Sequence, residues 1–233
     1  MMRADRVEAL VLFKFRLACR RFFSVARLCL LALLAGCAVK SADDTLDARA
    51  LMTPFLEGEE RFCAEDLDCR SGLCTWGSCA GILSADRGWM SEKIAGSLRT
   101  ALEDADLETG DAIEVLRVAL ADDTSHVPMQ RARILRTWRA LDPASAGEAA
   151  QRLLGESTPG LLRFEAGRTR VTLGDREAAQ GLIEMLRAGR TELAWFLLPE
   201  WPFFAAPERA AILAIVEKGG TPELRERLTT IER

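Results

Sequence analysis

From Ser91 to the C-terminus the apolar positions step by three and four. Met129, Ala132, Leu135, Trp138 and Leu141 do so in one segment, and Ala178, Leu182, Met185 and Leu186 in another, a spacing that lines one face of a helix. No stretch of this region alternates with period two for long, so the pattern predicts helices throughout. Start signals agree with it. Asp111 to Glu114 and Ser145 to Glu148 each offer a capping residue followed three positions later by Glu. Thr158-Pro159 and Thr221-Pro222 place a hydroxyl before a proline whose missing N–H costs nothing in a first turn, and Asp175 and Thr191 can cap similarly. Ala112 to Leu120 and Ala210 to Val216 are nearly continuous apolar runs, which predicts an inner layer covered on both sides. Near the N-terminus the apolar run Leu28 to Gly36 is nine residues long. A membrane-spanning helix needs roughly 20, so the run is too short for a permanent span.

The helical region repeats. Glu148 to Leu154 matches Glu177 to Ile183 at a shift of 29, while the preceding helices pair Ala140-Leu141 with Thr172-Leu173 at a shift of 32. Asp111 to Leu120 fits the same slot one unit earlier. Self-similarity near this length, built from two helices, predicts a mainly α fold in which helical hairpins stack as a solenoid over residues 91–233. The segment Arg168 to Ala178, with Leu173-Gly174-Asp175-Arg176-Glu177-Ala178 at the turn, resembles the HEAT-like repeat of the phycobilisome-lyase type. The resemblance implies paired helices and a binding surface, not lyase chemistry, because no bilin-attachment site accompanies it.

Arg20, Arg21 and Arg27 precede the run Leu28 to Leu34, the charged-then-apolar order of a secretory signal. Leu34-Ala35-Gly36-Cys37 resembles the lipobox of bacterial lipoproteins. That resemblance implies cleavage after residue 36, a diacylglycerol on Cys37, and a bacterial envelope location with the acyl chains as membrane anchor. Ala38 is not the aspartate that retains enteric lipoproteins in the inner membrane, so the outer membrane is the expected site. Residues 37–61, rich in Asp and Glu, read as the lipidated cysteine and an acidic tether, apart from a short helix around Thr45 to Met52.

Charge narrows the partners. Removing residues 1–36 takes away seven Lys/Arg and two acids, so the formal charge moves from −4 to −9. An acidic body argues against nucleic acid, whose phosphates call for a basic surface. The chain has one histidine, His126, and no tyrosine. A Ser-His-Asp hydrolase or a multi-histidine metal site would rest on His126 alone, in a loop-like sequence expected to be exposed. No catalytic residues, metal site or cofactor are assigned, and the chain is not read as an enzyme.

Cys63, Cys69, Cys74 and Cys79 remain once Cys19, Cys29 and Cys37 are set aside. In an exported chain an even set predicts two disulfides, stapling a motif at 62–80 too short to bury a core. Four cysteines allow three connectivities; the interleaved one, Cys63 to Cys74 and Cys69 to Cys79, is expected as the more compact. Zinc is the rival, lacking the paired C-x2-C spacing. Glu65, Asp66 and Asp68 are expected to be solvated acids, and Trp76 to cover the disulfides or to serve in recognition, with the first favoured. The C-x5-C-x4-C-x4-C pattern resembles the small cysteine-rich repeat of bacterial surface lipoproteins, which implies no activity.

Trp195, Phe196, Trp201, Phe203 and Phe204 cluster around Pro199 and Pro202, where the helical pattern breaks. They are expected to seal the last repeats, and they are also the candidate partner-binding patch. Arg131, Arg133, Arg136 and Arg139 make one helix strongly basic, which suits either an acidic partner or pairing with neighbouring carboxylates on a wet face, the second being favoured. The function that fits is an anchored envelope scaffold binding another envelope protein through its helical repeats. Alternatives are an envelope enzyme with a carboxylate site and a binding module led by the cysteine-rich motif.

Overall fold

A computed structural model describes residues 42–232, with side chains from Asp47 onward. Cys37, the signal segment expected at 1–36 and the first part of the expected tether lie outside the described residues. Asp47–Arg233 forms one compact unit.

The unit begins part-way along helix α1 (Ala42–Glu57). Ala48, Met52 and Phe55 fall on one face and are buried, Met52 and Phe55 in one cluster with Leu73, Ile82, Ile94 and Leu98. Residues 47–61 are therefore not a tether. Their acids took the eye, but Asp47 and Glu57 are exposed while the apolar stripe between them turns inward. The chain continues into strand β1 (Gly58–Phe62), which pairs antiparallel with β3 (Ser78–Ala80), itself paired with β2 (Cys74–Thr75).

The β2–β3 hairpin turns on two residues, Trp76 and Gly77, with φ of 54° and 79°. Positive φ at both central positions is the type I′ geometry that matches the twist of the flanking strands. Disulfides join Cys63 to Cys74 and Cys69 to Cys79, the interleaved connectivity. The stapled segment is continuous with the helical body, because Leu73 and Ala80 belong to the same buried cluster as Ile94 and Leu98.

The body is mainly helical: α2 (Gly88–Asp104), α3 (Thr109–Ala121), α4 (Pro128–Leu141), α5 (Pro143–Gln151), α6 (Gly160–Val171), α7 (Arg176–Arg187), α8 (Ala206–Gly219) and α9 (Pro222–Glu232). Alternate helices α2, α4 and α6 pack in succession. Helix α3 lies against α4, α5 against α4 and α6, α7 against α6, α8 against α7, and α9 against α8. Between α7 and α8 the prolines break the pattern into two 3-10 turns, Thr191–Leu197 and Trp201–Phe203.

Some caps fall where the sequence places them and others shift. The Asp175 side chain accepts from the amide of Ala178 at 3.1 Å, and Leu224 donates to the Thr221 hydroxyl at 3.3 Å. Asp142, not Ser145, caps α5 by accepting from Ala144 and Ser145. Asp111 sits inside α3, where its carboxylate accepts from the amide of Glu108 at 3.1 Å. Thr191 opens a 3-10 turn without a side-chain cap.

The innermost helix is not one of the continuous apolar runs. Helix α3 leaves Val118 exposed, and α8 buries only Ile212 and Val216. Helix α6 is instead enclosed almost all round, with Glu165, Arg168 and Thr169 buried beside Leu162, Phe164 and Ala166. It is the waist of the body: Leu162 and Ala166 belong to the N-terminal apolar cluster, Phe164 and Val171 to the C-terminal one. Gly167 makes that fit possible, since a Cβ there would lie 2.8 Å from the Leu182 side chain of α7.

Candidate functional site: an arginine-floored cleft

Helix α4 carries Arg136 and Arg139 one turn apart, and α6 carries Glu165 and Arg168 at the same spacing, so each helix turns two charged groups toward the seam. The turn at 198–200, between the two 3-10 stretches, adds Glu200. These five residues form one buried ionic cluster. Arg168 donates to both carboxylate oxygens of Glu200, at 2.9 and 3.0 Å, and to Glu165 at 2.8 Å. Arg136 donates to Glu165 at 3.1 Å, while Arg139 lies 3.1 Å from Glu200 and 3.7 Å from Glu165.

Charges taken out of water cost several kcal/mol each unless paired, so the cluster stands or falls as a unit. Burial alone would raise the Glu165 carboxyl, but Arg168, Arg136 and Arg139 outweigh it and hold it at about 2. Burial likewise opposes the charge on Arg168, and Glu165 and Glu200 more than offset it, raising that guanidinium further. Three guanidiniums against two carboxylates leave one positive charge over.

Above this floor is a cleft of about 440 Å³, lined by Arg99, Arg136, Arg139, Glu92 and Glu200, with Ala140, Pro143, Pro199 and Phe203 as apolar wall. The size is within the range of ligand-binding clefts. Arg99 reaches from α2 to the C-terminal carbonyls of α4, donating to Ala140 and, at 3.2 Å, to Leu141. Arg139 makes ion pairs but no hydrogen bond among the described residues, and its Nη1 is buried without a hydrogen-bond partner, as are Arg136 Nε and Glu165 Oε1.

Arg133, Arg136 and Arg139 of α4 thus pair with carboxylates as expected, though not on a wet face, whereas Arg131 pairs only with a backbone carbonyl. Arg131 Nε donates to the Leu120 carbonyl at 2.7 Å, Arg133 binds the Leu83 carbonyl and Asp86, and Arg136 and Arg139 are mostly buried. Glu165, Arg168 and Glu200 escaped the sequence reading. Their signal was a single acid, Glu165, three residues before Arg168 on a helix whose other charged residues, Arg163 and Arg170, are also arginines, and a lone acid between Pro199 and Trp201.

The aromatic cluster divides. Trp201 and Phe204 are buried, with the Trp201 indole N–H donating to Glu232 at 3.0 Å, and seal the last helices. They offer nothing to a partner. Trp195, Phe196 and Phe203 remain exposed, and Phe203 faces the cleft.

Trp76 is not a lid. It is fully exposed at the tip of the hairpin, with Phe62 also exposed and its ring against Gly77. A bulky side chain in the left-handed region costs about 1–2 kcal/mol. Asp66 and Asp68 are braces more than solvated acids. Asp66 pairs with Lys93 and accepts from the Cys74 amide at 2.7 Å, and Asp68 accepts from the amides of Ala64 and Glu65 at 2.8 and 3.1 Å. The Lys93 and Cys74 contacts, in that order, hold the Asp66 carboxyl below its usual range.

The sulfurs of Cys63, Cys69 and Cys74 lie within 4.8 Å of one another, but disulfide sulfurs are not thiolate ligands. His126 is half-buried in the α3–α4 loop and does not line the cleft. Among the described residues no helix is long and apolar enough to cross a membrane. No family model, curated protein or solved structure matches the chain.

Proposed function

We propose that this protein is a lipid-anchored scaffold of the bacterial envelope, sited at the outer membrane, that holds a partner protein in the cleft of its helical body. The observation that carries the reading is the cleft itself, whose wall draws on α2, α4, the α6 terminus and the 199–203 turn. The stacking of α2, α4 and α6 with α3, α5 and α7 beside them supports a hairpin solenoid, whose successive repeats commonly build such a surface. The paired cysteines at 63–79 support maturation in an oxidising compartment, and the signal-like segment ending at Cys37 supports lipidation.

A second reading has one observation in its favour: Trp76, strained and exposed on a doubly stapled hairpin, makes the cysteine-rich motif a recognition element in its own right. For a carboxylate-based enzyme, the cluster's electrostatics remove Glu165 as the general acid. An acid held at about 2, as Glu165 is, cannot donate a proton near neutral pH.

Capture from detergent-solubilised envelope tests the proposal, with mass spectrometry of the mature N-terminus run beside it. The native protein is expected to carry acylated Cys37 as its first residue and to retain a partner that Arg139→Glu loses. Unmodified residues 1–36, or identical capture by both forms, would reject it.

A further inference from the structure

We infer that the cleft binds a peptide by its carboxylate, seated on Arg139 and Arg99, with the neighbouring side chain packed against Phe203 and Pro199. This rests on the scaffold reading and names the chemistry of its partner.

Charge is the first argument. Glu165 and Glu200 leave one of the three cluster guanidiniums uncompensated, while Arg99 and Glu92 at the cleft wall offset each other. A single negative charge completes the balance. A dianion such as phosphate would overshoot it beside Glu92 and Glu200.

Donor geometry is the second. Arg139 is held by charge alone, and its Nη1 is buried with no acceptor. A guanidinium presents paired N–H groups in a rigid fork that matches a carboxylate, and such pairs are among the strongest hydrogen bonds in proteins. Arg168 already uses its fork on Glu200; Arg139 sets Nη2 against Glu200 at 3.1 Å and keeps Nη1 without an acceptor. Because Glu165 and Glu200 hold Arg139 by ion pairs, the guanidinium is fixed before any ligand arrives, which lowers the ordering cost of binding.

The wall is the third argument. Ala140, Pro143, Pro199 and Phe203 give one side of the cleft an apolar surface, and Phe203 is 47% exposed although its neighbours Trp201 and Phe204 are buried. A carboxylate next to an apolar side chain, as at a hydrophobic C-terminus or in an acidic-apolar sequence, would use both features at once.

Calorimetry on the full chain in detergent tests this with four probes: acetyl-Ala-Leu-Phe as free acid, the same peptide as its amide, acetyl-Ala-Asp-Phe-amide, and inorganic phosphate. At least one acid peptide is expected to bind at least about tenfold more tightly than the amide, with tighter binding of the first or third telling a C-terminal from a side-chain source. Raising salt from about 20 to about 200 mM should weaken it. Arg139→Gln should cost about tenfold or more and Phe203→Ser a few-fold. If Arg139→Gln fails to fold by circular dichroism, Arg139→Lys decides, with several-fold loss expected because the charge stays and the fork goes.

Equal binding of acid and amide, no binding of either acid peptide, indifference to the Arg139 variants, or displacement of peptide by an equal concentration of phosphate would each overturn the inference. Envelope capture by the same variants keeps the two readings apart. Loss of a partner without peptide binding sinks the carboxylate while leaving the scaffold standing.

Discussion

The stapled segment at 58–80 and the helical body at 88–232 hold their shapes by opposite means. The first has little apolar interior of its own beyond the sulfurs of Cys63, Cys69 and Cys79, and leaves Phe62, Leu67 and Trp76 exposed. Covalent bonds carry its shape, so its large side chains are not needed inside. The body has no such bonds, and must bury Leu, Ile and Ala from every helix to hold together. Charge is what it has left for its innermost seam, where Glu165, Arg168 and Glu200 lie with Arg136 and Arg139. One region can present hydrophobic groups outward because it is crosslinked; the other presents charge in a cleft because its apolar groups are spent on packing.

The largest expected effect comes from the seam. Glu165→Ala leaves Arg136, Arg139 and Arg168 facing a single acid in a buried site, and should cost about 3–5 kcal/mol in urea unfolding. The disulfides are untouched by that change and should stay formed. Loss under 1 kcal/mol would mean that the cluster is more hydrated than its burial indicates.

Reducing the disulfides attacks the other side of the comparison. They close loops spanning 11 and 10 residues, each worth about 3 kcal/mol by chain entropy. Reduction should abolish amide protection in β1, β2 and β3 while the far-ultraviolet signal of α4 to α9 persists. Concerted loss of all helix would show that the two regions share one fate.

Acid separates them further. The Glu165 carboxyl sits at about 2 in the fold against an ordinary value of 4.5, so the unfolded chain takes up its proton first as pH falls. The stability this group confers is complete above about 4.5 and is lost progressively down to about 2. Thermal unfolding followed across that window should show a falling midpoint for the wild type, with a shallower fall in Glu165→Gln. Parallel profiles would remove Glu165 from the explanation.

Trp76 gives the smallest effect and the sharpest contrast. Asparagine tolerates positive φ far better, so Trp76→Asn should raise the stability of the hairpin by about 0.5–1 kcal/mol. Gly77→Ala should lower it, since φ is 79° there and the added Cβ would meet the Phe62 ring at 3.0 Å. A stabilising Trp76→Asn would show that the native tryptophan is kept at a cost to the fold.

What the sequence made legible follows the same division. Spacing of Met129, Ala132, Leu135, Trp138 and Leu141 announced α4, and the even cysteine set announced the staples, because local periodicity and covalent pairing are written along the chain. The packing of α1 was harder to see: Asp47, Glu57, Glu59 and Glu60 masked the stripe of Ala48, Met52 and Phe55. The inner layer was misplaced for a related reason. Apolar runs suggest burial one residue at a time, whereas Glu165 and Arg168 are buried only because Arg136, Arg139 and Glu200, distant in sequence, arrive to pair with them. Mutual compensation of charge is a property of the folded arrangement and leaves only a faint mark at Glu165 and Arg168.

The claim that the cleft is the face that meets a partner is open to a direct test in living cells of the native host, by photo-crosslinking from single positions in the full chain. A crosslinker replacing Phe203 should yield a discrete partner band, and one replacing Val118, exposed on α3 away from the cleft, should not. A band from Trp76 with none from Phe203 would contradict the account and move recognition to the stapled hairpin.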